Sequence, residues 1–277
     1  MVYGDTNSTL AGALAADKLK IEIAHVEAGL RSFNSRMQEE INRTITDQLS
    51  NYLFCPTQIA VDNLKAEGIT KGVYFVGDIM YDSLLYNLNI ADEKSFILEE
   101  LSLASKSYYL ATVHREQNVD DPGRLKLIME AFLEIASEDT PVIFPVHPHT
   151  KKSLKNIQGK LHKTNSFLRK IEPVSYLDML KLEENSKVIL TDSGGVQKEA
   201  YFLKIPCITL REETEWTETL SEGWNLLTGV DKKKIIEAAK NLSLERKHEN
   251  FFGEGKTADK ITSIFEEIRN KKFSHGH

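Results

Sequence analysis

Short apolar runs alternate with amphipathic helical stretches in the first part of the chain. The apolar runs predict strands at residues 2–3, 21–26, 52–55 and 74–76. The stretches between them predict helices at residues 8–18, 38–49, 59–67 and 80–86. This alternation is typical of a parallel sheet with right-handed helical crossovers.

The same pattern restarts after a more polar segment, 87–107, which predicts an inter-domain connection and a surface helix. Further strands are predicted at 108–113, 142–146, 168–172, 188–190, 207–210 and 225–227. Helices are predicted at 123–136, 150–161, 176–183, 232–242 and 257–270. A further helical stretch follows the polar turn after residue 190 and ends at residue 203. The fold class is therefore α/β, with two doubly wound, Rossmann-like domains facing a cleft. The predicted domains are 1–83 and 84–256, and the helix and tail of 257–277 are expected to pack back on the first domain.

The chain begins at what the pattern predicts to be the end of a strand, Met1-Val-Tyr-Gly-Asp5. A domain rarely starts there, because such a strand lacks most of its length and its neighbours. We therefore expect the first domain to be incomplete. At the other end, Ser274-His-Gly-His277 predicts a loose tail rather than a metal site.

Composition narrows the class of protein. The 277 residues are 41% hydrophobic and 27% charged, as in a soluble globular protein, and the net charge of −6 argues against nucleic-acid binding. No stretch predicts a membrane span or a signal peptide. Cys55 and Cys207 lie in apolar runs without zinc-site spacing. They predict buried free thiols in a reducing, cytoplasmic compartment.

One stretch, residues 188–200, organises the second domain. Ser193 follows a predicted strand and can cap the next helix, and Gly194 and Gly195 let that helix start approach a ligand closely. Free amides and the helix dipole make such a terminus an anion site, and Glu199 can accept hydrogen bonds from sugar hydroxyls. A diphosphate with a ribose satisfies both features. A tight structural turn remains the competing interpretation.

Three carboxylates fall at strand ends or helix starts of the first domain. Asp5 is either a helix cap or a catalytic group. Glu27 either pairs with Arg31 or is a carboxylate tuned by that cation. Glu39 opens a helix, where acidic residues are common partners of the dipole. Several carboxylates converging on one cleft suit proton abstraction and return.

Three further polar clusters follow strands of the second domain. His114 and Arg115 can contact a phosphate and donate a proton to a leaving group. His147 lies in a tight turn, where a structural role is the more common one. Trp216 is either a wall of the pocket or a packing residue.

Taken together, these motifs resemble the non-hydrolysing UDP-N-acetylglucosamine 2-epimerases. The matching segments are Gly4-Asp5-Thr6, His25-Val-Glu27-Ala-Gly-Leu-Arg31, Glu39-Glu40-Ile-Asn-Arg43, His114-Arg115, Asp192-Ser-Gly-Gly195 with Gln197 and Glu199, and Arg211-Glu-Glu-Thr-Glu215. The resemblance covers essentially the whole chain. It implies a GT-B-like fold, inversion at carbon 2 of a UDP-2-acetamido sugar without NAD or metal, and a homodimer when the protein is full length. It also implies a part in cell-surface polysaccharide synthesis.

The resemblance also implies roles for individual residues. Asp5, Glu27 and Glu39 match the family's catalytic carboxylates, and His114 its active-site histidine. The remaining candidates match UDP-binding positions and are Arg115, Ser193, Gly194, Gly195 and Glu199. Val174 and Met179 match positions near the uracil.

Departures from the family pattern leave the substrate open. Gln38 replaces a proline, and Trp216 stands where well-known members have arginine, which removes a cation from the sugar or phosphate side. Trp216 and neighbouring motifs resemble the subgroup that acts on UDP-2,3-diacetamido-2,3-dideoxyglucuronate. The sequence is also compatible with a hydrolysing epimerase or a glycosyltransferase on the same fold. An inactive UDP-sugar-binding fragment is compatible with it as well, because the missing first segment normally supplies basic residues near the diphosphate.

Overall fold

A computed structural model describes residues 1–157, 159, 161, 164–242 and 247–274, so the predicted tail at 275–277 lies outside the described residues. The chain divides into two compact units. Unit 1 comprises residues 1–85 and the segment from 249 onward, and unit 2 comprises residues 86–248. The unit boundary therefore falls inside a helix near residue 85, and the carboxyl-terminal segment belongs to unit 1.

Unit 1 contains a four-stranded parallel sheet in the order β1-β2-β3-β4. Its strands are β1 (Val2–Tyr3), β2 (Ala24–Val26), β3 (Tyr52–Cys55) and β4 (Val73–Phe75). Its helices are α1 (Asn7–Lys18), α2 (Gln38–Leu49), α3 (Gln58–Ala66), the first part of α4 (Ile79–Lys94) and α12 (Thr257–Ser274). The predicted strand at 21–26 begins only at Ala24, because the Ile23 amide donates to the side chain of Asn51 (2.8 Å).

A buried carboxylate on α2 joins several parts of unit 1. Asp47 Oδ2 accepts hydrogen bonds from the Gly29 amide (3.1 Å) and from Arg31 (2.8 Å), and Asp47 Oδ1 lies 2.6 Å from Nδ1 of His25. The other ring nitrogen of His25 donates to the carbonyl of Gly4 (2.8 Å). Asp47 thus fixes the loop after β2 directly and the turn after β1 through His25.

Helix α12 covers one face of the unit 1 sheet. Phe265 packs edge-on against Phe54 and Tyr52, with ring centroids 5.4 and 6.0 Å apart. Ile261 joins Val26 in the same buried cluster. Because aromatic pairs of this kind add to simple area burial, α12 is an integral part of unit 1.

Unit 2 contains a six-stranded parallel sheet in the order β10-β9-β8-β5-β6-β7. Its strands are β5 (Tyr109–Thr112), β6 (Val142–Pro145), β7 (Leu168–Ile171), β8 (Val188–Thr191), β9 (Cys207–Thr209) and β10 (Asn225–Leu227). Its helices are the end of α4, α5 (Ile97–Glu100), α6 (Glu116–Val119), α7 (Pro122–Ile135), α8 (Pro148–Ile157), α9 (Tyr176–Asn185), α10 (Gly194–Phe202), α11 (Lys232–Asn241) and a 3₁₀ helix (Thr217–Gly223). The strand order reverses between β5 and β8, which is the position where doubly wound sheets bind ligands.

Alternating strand residues fill two cores in unit 2. Ala111 and Leu190 point into the core that contains α7 and α11, whereas Leu110 and Ile189 point into the core that contains α9 and α10. All four side chains are completely buried. Helices on both faces of a parallel sheet explain why its central strands β5, β6 and β8 are buried along almost their whole length. The predicted α/β class with two Rossmann-like domains is confirmed.

Helix α4 is longer than the sequence pattern predicts. It continues to Lys94, although the prediction ended it at residue 86 and treated 87–107 as a polar connection. Leu84 and Ala91 lie two helical turns apart and are both buried, so the helix keeps an apolar stripe through this polar stretch. Ser95, just beyond the helix, donates to Asp178 (2.6 Å).

None of the helices among the described residues is long and apolar enough to cross a membrane.

Replacing Asp47 by alanine should strongly destabilise unit 1. The buried charge of Arg31 would lose one of its two acidic partners, so we expect a loss of about 3–5 kcal/mol in the free energy of unfolding. Urea denaturation of the purified chain measures this loss. Asp62→Ala is the matched control, because Asp62 is an exposed helical aspartate that accepts a hydrogen bond from neighbouring Gln58 (3.0 Å). Equal stabilities of the two variants would contradict the role of Asp47.

Candidate functional site

Asp192 joins the carboxyl ends of β5 and β8. It is completely buried and accepts hydrogen bonds from the amides of His114 (3.1 Å) and Arg115 (3.2 Å) and from the side chain of Asn118 (3.0 Å). Burial by itself raises the pKa of Asp192, but the hydrogen bonds from His114 and Asn118 outweigh it and lower the pKa below its ordinary value. The residue is therefore an ionised anchor for the segment that follows β5.

The start of α10 has the serine cap that the sequence predicts. Ser193 is the N-cap, and its side chain accepts a hydrogen bond from the Val196 amide (3.4 Å). Gly194 and Gly195 form the first turn. A Cβ on Gly194 would lie only 2.6 Å from Oε1 of Glu215, so a larger residue there would require the Glu215 side chain to move.

Glu215 is held beside this helix start by two arginines. Arg211 donates to it at 3.0 Å, and Arg115 lies 4.0 Å from its other oxygen. Burial by itself raises the pKa of Glu215, but the positive charge of Arg211 lowers it below its ordinary value. The segment Arg211-Glu-Glu-Thr-Glu215 therefore lies beside the start of α10.

Trp216 is a buried packing residue, 5% exposed. The Nζ of Lys198 lies 3.9 Å from the centre of its ring, in a cation–π contact. The prediction that the tryptophan removes a cation from the sugar or phosphate side stays a prediction, and the cation that contacts its ring is the buried Lys198 on α10.

A cavity of about 390 Å³ opens at the carboxyl ends of the unit 2 strands. The predicted residues that line it are His114, Val174, Met179 and Ser193. Tyr176 and the exposed side chain of His147 also line it. Nδ1 of His147 accepts a hydrogen bond from the amide of His149 (3.3 Å), so His147 also has the structural role in the turn that the sequence favours. Apolar walls with a few polar groups are typical of small-molecule pockets.

Glu199 lies near this cavity and is itself buried. Its Oε1 accepts a hydrogen bond from the hydroxyl of Tyr176 (3.1 Å). Burial raises the pKa of Glu199, and the Tyr176 hydrogen bond and the charge of Lys198 only partly oppose that effect. Sequence reasoning missed Tyr176, although its place one turn before Met179 on the same helix was a usable signal.

In unit 1, Asp5 and Glu27 lie at adjacent strand ends. Asp5 forms an ion pair with Arg43, and Thr6 rather than Asp5 caps α1. Glu27 adopts a positive φ of 75°, and its Oε2 would lie 3.1 Å from a Cβ on Gly4. A residue other than glycine rarely adopts such a φ, so the surrounding structure holds Glu27 in a strained conformation.

The two acidic residues that open α2 have different environments. Glu39 is exposed, whereas Glu40 is buried and accepts hydrogen bonds from the amides of Ser32 (2.9 Å) and Phe33 (3.0 Å). The ion pair considered between Glu27 and Arg31 does not form, because Arg31 pairs with Asp47 (2.8 Å) and Glu67 (2.6 Å). Arg31 therefore stabilises the loop after β2.

Comparison with known proteins places the chain in a family. The sequence profile of the UDP-N-acetylglucosamine 2-epimerase family matches residues 1–266. The chain belongs to this family. Two relatives of the epimerase family come from Methanococcus maripaludis and Pseudomonas aeruginosa. The first, a UDP-N-acetylglucosamine 2-epimerase homolog, is 53% identical over 97% of this chain and 75% of its own length. The second, a UDP-2,3-diacetamido-2,3-dideoxy-D-glucuronate 2-epimerase, is 50% identical over 87% of this chain and 66% of its own.

A solved structure of an epimerase from Methanocaldococcus jannaschii, in complex with UDP-GlcNAc and UDP, has the same fold. It is 49% identical, with a TM-score of 0.84 over 96% of this chain and 75% of that chain. The GT-B-like expectation is thus confirmed. Among the described residues, no group of three or more His, Cys, Asp or Glu side chains is placed to hold a metal ion.

Replacing Asp192 by asparagine should reduce stability in a pH-dependent way. Because the folded-state pKa is depressed, the ionised group stabilises the protein above the unfolded value of 3.8, and this contribution is lost as the pH falls through the folded-state pKa. We expect a loss of about 2 kcal/mol at pH 7 that shrinks in acid. Urea denaturation at pH 7 and pH 3 measures it, with the exposed Asp139→Asn as control. A loss of equal size at both pH values would contradict the assignment.

Proposed function

We propose that this chain inverts carbon 2 of a UDP-2-acetamido sugar and converts UDP-N-acetylglucosamine to UDP-N-acetylmannosamine. The observation that supports it most directly is the capped, glycine-led start of α10 beside the cavity of unit 2. In that position Ser193, Gly194 and Gly195 hold the diphosphate, Glu199 holds the ribose, and Val174 and Met179 contact the uracil. Family membership and the likeness to a structure that contains UDP-GlcNAc support the same assignment.

The proposed reaction proceeds by elimination and re-addition of UDP. A carboxylate takes the proton from carbon 2, the bond from carbon 1 to the UDP oxygen breaks, and a double bond forms between carbons 1 and 2. UDP leaves as an anion, which amides and Arg115 stabilise. Re-addition of UDP to carbon 1, with a proton delivered to the other face of carbon 2, gives the epimer.

Proton transfer on two faces of one carbon requires more than one acid–base group. Asp5, Glu27 and Glu39 are the proposed carboxylates, and His114 is the proposed partner of the leaving group. Asp5 already contacts Arg43, and Glu27 is held in an unusual backbone conformation, so their environments differ. Groups in unlike environments can exchange acid and base roles at one pH.

The decisive test uses the purified chain with UDP-N-acetylglucosamine in heavy water. Because the proton at carbon 2 is replaced from solvent, we expect deuterium at that carbon in recovered substrate and product, measured by proton NMR and mass spectrometry. The same spectra reveal free N-acetylmannosamine, which a hydrolysing enzyme would accumulate. Turnover without deuterium at carbon 2 would rule out the proposed mechanism, and UDP binding without any turnover would favour a binding role.

The carboxylate variants Asp5→Asn, Glu27→Gln and Glu39→Gln should lose turnover by about a hundredfold to ten-thousandfold, because each removes an acid–base group. UDP affinity should stay unchanged, since the proposed nucleotide contacts all lie in unit 2. Turnover assays and calorimetry with UDP measure the two properties. Glu22→Gln is the matched control, because Glu22 is an exposed glutamate that accepts a hydrogen bond from Tyr52 (3.2 Å). Weakened UDP binding in the carboxylate variants would indicate structural roles instead.

A second candidate substrate is UDP-2,3-diacetamido-2,3-dideoxyglucuronate. The Pseudomonas aeruginosa relative is named for that sugar, and Trp216 with the motifs at residues 197–201 and 76–81 resembles the same subgroup. Comparing kcat/KM for the two sugars separates the candidates. We also propose that the protein acts in the cytoplasm as a homodimer and serves cell-surface polysaccharide synthesis. The buried free thiols of Cys55 and Cys207 suit such a reducing compartment.

A further inference from the structure

Glu183 on α9 is a buried carboxyl group that the proposed reaction does not use. Its exposed fraction is 0%, and neither of its carboxyl oxygens accepts a hydrogen bond from any residue that the structure describes. Burying an unpartnered carboxylate is costly, and such groups are rare in folded proteins. The residue therefore calls for an explanation beyond packing.

Its place on α9 directs Glu183 toward the nucleotide pocket. Tyr176, Met179 and Glu183 follow at helical spacing and share one face of that helix. Tyr176 and Met179 line the cavity of unit 2, and the Tyr176 hydroxyl donates to Glu199. Glu183 therefore extends the same stripe of α9, and its electrostatic interaction with Glu199 makes it a neighbour of the carboxylate proposed to hold the ribose.

The titratable groups that interact with Glu183 lie on several elements. Glu199 on α10 acts on Glu183, and the charge of Glu183 in turn raises the pKa values of Tyr108 just before β5, Cys207 on β9 and Tyr176 on α9 itself. Burial and then the negative charge of Glu199 raise the pKa of Glu183 well above its ordinary value.

The cations nearby act elsewhere. Lys198 lowers the pKa of Glu199, where it opposes the larger effect of burial. Lys181 on α9 is 2.5 Å from Asp92 and 3.4 Å from Glu184. The two buried carboxyl groups thus have unequal surroundings, and Glu183 is the one better suited to hold a proton.

We propose that Glu183 and Glu199 share one negative charge, and that the proton resides on Glu183 whenever UDP occupies the pocket. This inference rests on the proposed function. With Glu183 neutral, the ionised Glu199 accepts hydrogen bonds from the ribose, and the anionic nucleotide meets one buried carboxylate instead of two. Glu183 is a positioning residue for the ribose contact, and by reciprocity UDP strengthens its hold on the proton.

The test measures the UDP dissociation constant by calorimetry from pH 6 to pH 9 for the unaltered chain and for Glu183→Gln. The titration of UDP itself affects both proteins equally. The ratio of their two dissociation constants therefore reports only the effect of Glu183. We expect equal affinities near pH 6 and a progressively weaker affinity of the unaltered chain relative to the variant, up to about tenfold, as rising pH removes the proton from Glu183. Glu184→Gln, the adjacent glutamate with a 38% exposed side chain, should behave like the unaltered chain.

The same variant should also change the stability of the chain in a pH-dependent way. Because the folded-state pKa of Glu183 lies above the unfolded value of 4.5, its burial costs stability increasingly as the pH rises from 4.5 toward the folded-state pKa. Glu183→Gln should therefore raise the melting temperature at neutral pH by about 2–4 °C and leave it unchanged near pH 4.

Several results would overturn the inference. An affinity ratio that does not change with pH would show that the proton on Glu183 is not linked to binding, and weaker binding by Glu183→Gln at every pH would show that its charge is needed. Failure of both proteins to bind UDP would instead overturn the proposed function.

If the variant does not fold, carbon NMR of the unaltered chain with labelled glutamate replaces the comparison of the two proteins. The Glu183 carboxyl signal should then titrate at higher pH with UDP than without it, and equal midpoints would overturn the inference.

Discussion

The hydrogen bonds to the buried carboxylate of Asp192 are the interaction on which the candidate site in unit 2 depends. The strand order reverses between β5 and β8, so the chain leaves the sheet there in opposite directions and creates a crevice. Asp192 spans that crevice because it accepts hydrogen bonds from two backbone amides and one side-chain amide of the segment after β5. His114 and the start of α10 keep a fixed separation because one ionised group holds both.

Much of this arrangement could be predicted from the sequence because it depends on local patterns. The apolar runs of β3 and β8 and the serine cap before Gly194 are each encoded within a few residues. Contacts between distant segments could not be predicted. The pairing of Arg31 with Asp47 and Glu67 joins residues up to 36 positions apart, so the nearer Glu27 looked like an equally good partner. The length of α4 was missed for a related reason, since its buried stripe becomes visible only once the packing around Ala91 is known.

The buried carboxyl groups of the protein occupy two different electrostatic settings. Asp47 is surrounded by donors and a cation, and breaking that network would leave buried charge behind. Glu183 has no such donors among the described residues and raises the cost of folding. Natural proteins keep buried carboxyl groups without donors mainly where these groups contribute to function. The position of Glu183 on the same face of α9 as Tyr176 and Met179 therefore points to a role in the neighbouring pocket.

The burial of both cysteines has a practical consequence. Cys55 and Cys207 are the only thiols in the sequence, and burial raises the pKa of each thiol and so suppresses the reactive thiolate. A cysteine introduced at an exposed position would therefore be the sole group to react with a maleimide dye in the native chain. Pairs of such dyes, one on each unit, would report distances in solution by energy transfer without any need to remove the native thiols.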